Sequence, residues 1–513
     1  MSKLLLPICI ILILGCHNKD KTNPYIEDPL AKDQWYLSGV YNEADTVHIN
    51  ADNSDYKGAG VLVALVDDGL DIGHEDLLNN IGEGSYSYLP EEYNFSDAQH
   101  GTACAGIIAA QAGNGLGIRG VAPKSKVIAF NALKAPAISN LADALVREKE
   151  RVWISSNSWG DFNSWGEPLR LRSLIELALQ EGVQEGRGGK GIIYVFSSGN
   201  GASSFNSLPT DNVNYSGLVN NRYTIPVCAI DENGFRAVYS EIGATLVVCA
   251  PSKGDSDGVG ISTTDLTGET GYNSEIFTDD YKNMNYSRNF SGTSASAPMV
   301  SGVVAMLLDA RPDLGWRDVR SILAKSATMI DSGHADWSKN GAGIWVNHHY
   351  GFGLVDAQNA VLSALGWNLY PQEVILEYQS DVDIEIPDND LQGVVARIDV
   401  DKDIIIEFVD IFFDASEHNS IGDLEIVLTS PQGTESVLAE QHVEIFGGLF
   451  RYDHWRFGSM RHLDESSKGQ WRIVVRDKSP QNEGVFKSWK LKIYGHRKRL
   501  AFGRSMGSES IDF

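Results

Sequence analysis

Basic charge is scarce in this chain. Its 513 residues carry 42 Lys and Arg against 68 Asp and Glu, a formal net charge of −26. Such a surface repels phosphate, which argues against a nucleic-acid partner. It fits a soluble surface, attraction for cations and basic substrates, with solubility alone as the plain alternative. Cysteine is scarce too, five in all. Cys9 and Cys16 fall in the leader, and the odd remainder of Cys104, Cys228 and Cys249 denies a full disulfide framework. Cys228 and Cys249 lie in neighbouring expected strands, near enough to pair. Both sit inside apolar runs, which favours two buried free thiols. No His/Cys cluster has zinc-ligand spacing, and there is no internal repeat. The apolar run Leu4 to Leu14, preceded by Lys3, is too short for an ordinary membrane span and reads as an export signal.

What remains is enough for two or three domains, each able to bury a core. Residues 34 to 365 alternate strand and helix patterns, which predicts a mostly parallel sheet covered on both faces. Expected strands include Val61–Val66, Lys126–Phe130 and Gly191–Ser197; expected helices include Thr102–Ala112 and Ala295–Ala310. Pro371 marks a boundary. From 372 to 496 short alternating runs such as Val394–Val400 and Leu424–Thr429, separated by turns such as Ser430-Pro431-Gln432-Gly433, predict an all-β, antiparallel sandwich. The end, from Arg497, is polar and rich in glycine and serine, and is expected to be a flexible tail.

The chemistry gathers around Asn289-Phe290-Ser291-Gly292-Thr293-Ser294-Ala295-Ser296-Ala297-Pro298. Small residues there let a turn present the Ser294 hydroxyl at a helix start. Such a hydroxyl is a poor nucleophile near neutral pH and needs a base with an orienting acid. His100 stands in His100-Gly101-Thr102-Ala103-Cys104, just before another small-residue helix, and Asp67 ends an apolar strand. Taken alone, each has a plain reading as a cap, core or loop residue. The order Asp, His, Ser with these flanks points to acyl transfer by a triad. Asn200, in Ser197-Ser198-Gly199-Asn200-Gly201 after a buried run, is the candidate oxyanion donor; by itself it is a turn asparagine.

These three motifs resemble the subtilisin-like serine proteases. The Asp67-Asp68-Gly69-Leu70 and His-Gly-Thr-x-Cys forms resemble the kexin/furin branch. Ile386-Pro387-Asp388, Gly422-Asp423-Leu424, Ser467-Lys468-Gly469-Gln470-Trp471 and Trp489-x-Leu491-x-x-Tyr494-Gly495 are similar to the P (Homo B) domain that follows kexin-type proteases. The resemblance runs over roughly residues 28 to 496. It implies an α/β subtilisin-like catalytic domain at 28–365 and a jelly-roll-like β-sandwich at 366–496.

It also implies roles. Ser158-Trp159-Gly160 matches the edge on which substrate backbone pairs, although a lone tryptophan is ordinarily core. Asp68 matches the acid that faces the residue before P1. Two further aspartates expected at P1 fall where Asn163 and Ser216 stand, so a basic P1 side chain is held less well; a slip of one or two residues brings Asp161 into the pocket instead. Asp28, Asp76 and Asn114, with carbonyls of Gln111, Leu116 and Ile118, match a calcium site. Asp211 and Glu241, with the Asn163 amide, suggest a second. Solvated surface acids are the plain alternative.

Ile13-Leu14-Gly15-Cys16 resembles a bacterial lipobox, which implies cleavage after 1–16, a lipidated Cys16 and a polar tether at 17–27. The expected product is exported and anchored to an outer membrane or cell surface. No room remains between leader and protease for the usual propeptide, so a separate chaperone, a propeptide in trans or calcium-assisted folding is expected. Two other roles stay in view: a catalytically inactive surface lipoprotein that binds partners through the sandwich, and a structural lipoprotein.

Overall fold

Continuous apolar strands need cover on both faces, and the helices between them supply it. The outcome is one six-stranded, all-parallel sheet. Its order is Val248–Pro251, Thr224–Ile230, Ile193–Ser197, Ile154–Asn157, Leu62–Val66, Lys126–Phe130. The structure, a computed structural model, describes residues 27–41, 44–90, 97–160, 166–202, 204–205, 208–274, 279–444 and 448–498. Cys9, Cys16, the rest of the leader, Asp161 and Asn163 lie outside the described residues.

Leu62–Val66 has Lys126–Phe130 on one side and Ile154–Asn157 on the other. The connection from Leu62–Val66 runs to Lys126–Phe130 on one side and that from Ile154–Asn157 to Ile193–Ser197 on the other, and such a switch point opens a crevice at the carboxyl ends of the two neighbouring strands. Asp67 is the residue after Leu62–Val66. Two helices, Gln99–Ala109 and Thr293–Ala310, are apolar on nearly every side and are buried rather than lying on the surface.

The expectation of two free thiols is overturned: Cys228 and Cys249 form a disulfide. Their strands are parallel neighbours in a register that sets Cys249 directly opposite Cys228, with Cα atoms 4.3 Å apart. Apolar flanks predicted burial correctly, but pairing depends on register, which the flanks do not report. Cys104 is a buried free thiol.

Beyond the helix Ala357–Leu365 the chain forms two four-stranded antiparallel sheets. One runs Val374–Ile386, Gly484–His496, Ile405–Asp414, Trp455–Ser459; the other Val394–Val400, Gly469–Asp477, Leu424–Thr429, Glu435–Ala439. Their inner faces share a core that includes Phe413, Phe457, Trp471 and Trp489. The two domains interlock. Phe408, Met460, Leu463 and Tyr494 of the sandwich pack into the α/β core, while Tyr215 of the α/β domain packs into the sandwich core. Arg317 Nε donates to Glu407 Oε2 at 2.7 Å across the same boundary.

Candidate active site

Asp67 follows the strand Leu62–Val66 and is buried. Its carboxylate lies 2.8 Å (Oδ1) and 3.0 Å (Oδ2) from His100 Nδ1. Oδ1 also accepts the Asp68 N–H at 2.7 Å, which fixes the carboxylate. Two effects oppose each other at the imidazole. Burial lowers its pKa, while the Asp67 charge raises it, and the net shift is well upward.

The helix that carries His100 has no local side-chain cap. Asp68 supplies one from the strand end: its Oδ1 accepts Gly101 N–H at 2.8 Å and its Oδ2 accepts His100 N–H at 3.2 Å. Glycine is needed at 101, because a Cβ there would lie 2.0 Å from the Gly69 carbonyl oxygen. Burial first, then the neighbouring Asp67 charge, push the Asp68 carboxyl up to about 7. Asp68 therefore positions the histidine; it is half-buried beside it.

Ser294 is the second residue of the helix Thr293–Ala310. Its Oγ donates to the Ser158 carbonyl at 3.3 Å, and Ser158 Oγ donates back to the Ser294 carbonyl at 3.0 Å. Asn200 Oδ1 accepts both the backbone N–H and the hydroxyl of Thr293 at 2.9 Å. His100, Asn200 and Ser294 line one cleft of about 720 Å³. Phe290 meets the His100 ring edge-on, with centroids 5.6 Å apart. Cys104 lies one turn after His100, its Sγ 4.0 Å from Nδ1.

Ser158-Trp159-Gly160 leaves the strand Ile154–Asn157 beside this cleft. Trp159 is largely a packing residue, edge-on to Phe196 at 5.3 Å. Gly160 and Ser216 line a separate, smaller cavity of about 30 Å³ together with Asp211, Glu241 and Glu167. Glu167 is an acid that the sequence reading did not single out. Burial, then the Glu444 charge, raise its pKa. Asp211 and Glu241 are buried, and both face Gly201: a Cβ there would lie 2.8 Å from Asp211 Oδ2 and 3.0 Å from Glu241 Oε1.

Asp28 and Asp76 are buried and converge on the loop after the histidine helix. Asp28 accepts the N–H groups of Gly113 at 2.8 Å and Asn114 at 3.0 Å. Asp76 accepts the Asn114 side-chain amide at 2.8 Å and the Ile118 N–H at 2.9 Å. Asn114 Oδ1 accepts the Leu116 N–H, and the Gln111 side chain turns away to Asn79. Burial pushes the Asp76 carboxyl up to about 7, with the Asp28 charge adding to it. Two buried carboxylates beside a glycine-rich loop, with no Lys or Arg among their hydrogen-bond partners in the described residues, fit a hard divalent ion.

Residues 58–353 match the subtilase family, and residues 414–493 match the proprotein convertase P-domain. A dibasic-processing endoprotease of Schizosaccharomyces pombe is 32% identical over 496 residues, covering 92% of this chain and 66% of that protein. The human proprotein convertase subtilisin/kexin type 6 is 32% identical, covering 92% of this chain and 49% of that protein. The chain thus spans about half to two thirds of the length of these relatives. A serine protease of Aeromonas sobria, solved in complex with a chaperone, superposes with a TM-score of 0.81 at 25% identity over 92% of this chain and 96% of its own. The chain belongs to the subtilase family and joins its subtilase domain to a convertase-type P-domain.

Proposed function

We propose that the protein is a calcium-stabilised serine endopeptidase acting outside the cytoplasm, anchored through a lipidated Cys16. The observation that carries the catalytic part is the buried Asp67 carboxylate held 2.8 Å from His100 Nδ1, beside a cleft that opens on Ser294. Asp67 keeps the Nδ1 proton, so Nε2 is free to accept one. The Ser294 hydroxyl turns from the Ser158 carbonyl toward Nε2 and attacks a peptide carbonyl. Its proton passes to His100, which then gives it to the leaving amine. Water completes the cycle by hydrolysing the acyl-serine. The oxyanion receives hydrogen bonds from the Asn200 amide and the Ser294 N–H; losing the first removes about 3 kcal/mol of transition-state stabilisation.

Substrate backbone pairs along Ser158–Gly160, and the P1 side chain enters the cavity beside Ser216. Apart from Asp211 and Glu241, that cavity holds the single acid Glu167 beside Ser216, where kexin-type pockets are expected to hold two aspartates. Asp211 and Glu241 are reserved for the second calcium ion. The preference for arginine or lysine at P1 is therefore weaker than in the convertases, with Asp68 reading the residue before P1. Calcium, when bound, neutralises the buried Asp28 and Asp76. By analogy with the Aeromonas sobria protease, a separate chaperone or a propeptide in trans assists folding.

Cleavage of a P1-varied peptide library with calcium present tests this reading. Wild type should cleave without an overwhelming arginine preference, and Ser294→Ala should not cleave. Strict P1-Arg cleavage would refute the pocket assignment, and equal cleavage by Ser294→Ala would refute the mechanism.

A further inference from the structure

The P1 cavity is lined on one side by Gly160 and by Ser197 to Gly199 at the end of the strand Ile193–Ser197, and on the others by two segments outside the sheets. One is the segment 166–169 and the other 215–217. Leu169 N–H donates to the Tyr215 carbonyl at 2.8 Å, and Gly217 N–H donates to the Leu169 carbonyl at 2.8 Å. The second segment is also held at the Gly217 carbonyl, which accepts from Asn221 Nδ2 at 3.3 Å and from Arg456 Nη2 of the P-domain at 2.9 Å, so that the pocket keeps its shape. Further support comes from the P-domain. His442, fully buried, reaches both walls. Its Nε2 lies 3.1 Å from the Gly166 carbonyl oxygen and its Nδ1 lies 3.1 Å from the Tyr215 hydroxyl. The two rings overlap with centroids 4.5 Å apart. The Glu440 N–H donates to the same Tyr215 hydroxyl at 3.3 Å, and Asn212 Nδ2 donates to Glu440 Oε1 at 3.3 Å.

The fit is close. Gly166 has a φ of +70°, and a Cβ there would lie 2.2 Å from His442 Cδ2. The wall and the imidazole have room for each other only with glycine at that position. Glu167, the acid of the cavity, is the next residue, and Ser216 follows Tyr215. One side chain of the sandwich thus meets the Gly166 backbone on one side of the pocket and the Tyr215 side chain on the other.

We propose that His442 is a positioning residue for P1 selection: the P-domain shapes the specificity pocket through it, in addition to packing against the protease domain. This rests on the protease reading of the cleft. The imidazole does not meet substrate; it sets the separation of the Gly166-Glu167 and Tyr215-Ser216 walls. Losing it relaxes the pocket while leaving Asp67, His100 and Ser294 as they are.

Steady-state kinetics on a P1-varied peptide series, beside fluorophosphonate labelling of Ser294, tests the proposal. His442→Leu fills the same volume without a hydrogen bond. It should compress the ratio of best to worst P1 kcat/KM by about tenfold, through KM rather than kcat, with the labelling rate unchanged. His442→Gln keeps an amide that reaches Gly166 and should retain most of the ratio. An unchanged P1 profile in folded His442→Leu overturns the proposal. So does a loss shared equally by all substrates and by labelling, which marks a purely structural role. If His442→Leu does not fold, Tyr215→Phe carries the same readout: a narrowed ratio supports the proposal and an unchanged one overturns it. Failure of wild type to label at all would instead remove the protease reading beneath it.

Discussion

Ser158 and Ser294 exchange hydrogen bonds, each hydroxyl donating to the other's carbonyl, at 3.0 and 3.3 Å. The exchange follows from the sequence. Pro298 has no N–H, so the Ser294 carbonyl, four residues earlier, lacks its helical partner. Ser158 Oγ takes that place and thereby ties the segment after Ile154–Asn157 to the helix Thr293–Ala310. Ser158→Ala should lower stability by about 1 kcal/mol in urea denaturation. In a Pro298→Ala background the helix N–H returns, and the same substitution should lose less. Equal losses in both backgrounds would remove this account of the proline.

Asp67→Asn keeps the shape of the site and changes its protons. The amide donates to Nδ1 and leaves the histidine proton on Nε2, where the serine proton must go. A fall in kcat of about 10⁴-fold is expected, with the melting temperature little changed. A fall below tenfold would show that Asp67 does not set the tautomer.

The pH profile has a definite sign. The Asp67 charge outweighs burial and holds the His100 pKa above the ordinary imidazole value. Catalysis needs the neutral ring, so the rising limb of kcat/KM should sit on the alkaline side of about 6.5. Stability runs the other way. The pair's contribution is complete below the unfolded imidazole pKa and is lost as pH rises through the folded one. A limb at or below 6.5 would contradict this balance.

Calcium should act most strongly above neutral pH. The Asp76 carboxyl is pushed up to about 7 by burial, with Asp28 adding to it. Without the ion, an acid whose pKa is raised on folding favours the fold at low pH. That advantage fades as pH rises from the unfolded value toward about 7. Chelation should therefore lower the melting temperature markedly at pH 8 and little at pH 5, and Asp76→Asn should erase the difference. A chelator effect independent of pH would separate Asp76 from calcium.

Asp67, His100 and Ser294 drew notice as candidates because each stands beside a strong local signal, an apolar strand for Asp67 and small-residue helices for His100 and Ser294. The sheet and sandwich were legible for the same reason. Features set by distant segments were not. The histidine helix begins at Gln99 instead of Thr102 because its cap, Asp68, comes from another strand. Glu167 reaches the cavity beside Ser216 because 166–169 lies against 215–217, a pairing with no local pattern. The Cys228–Cys249 bond depends on strand register, which apolar flanks do not encode. His442 reads as an ordinary loop histidine until the sandwich docks.

The central claim is that His100, steered by Asp67, activates one hydroxyl. Labelling with a fluorophosphonate, followed by mapping of the adduct by mass spectrometry, tests it most directly. The account predicts a single adduct on Ser294, slowed by orders of magnitude in His100→Ala and absent in Ser294→Ala. Labelling at another residue, or a rate that His100→Ala leaves unchanged, would contradict it.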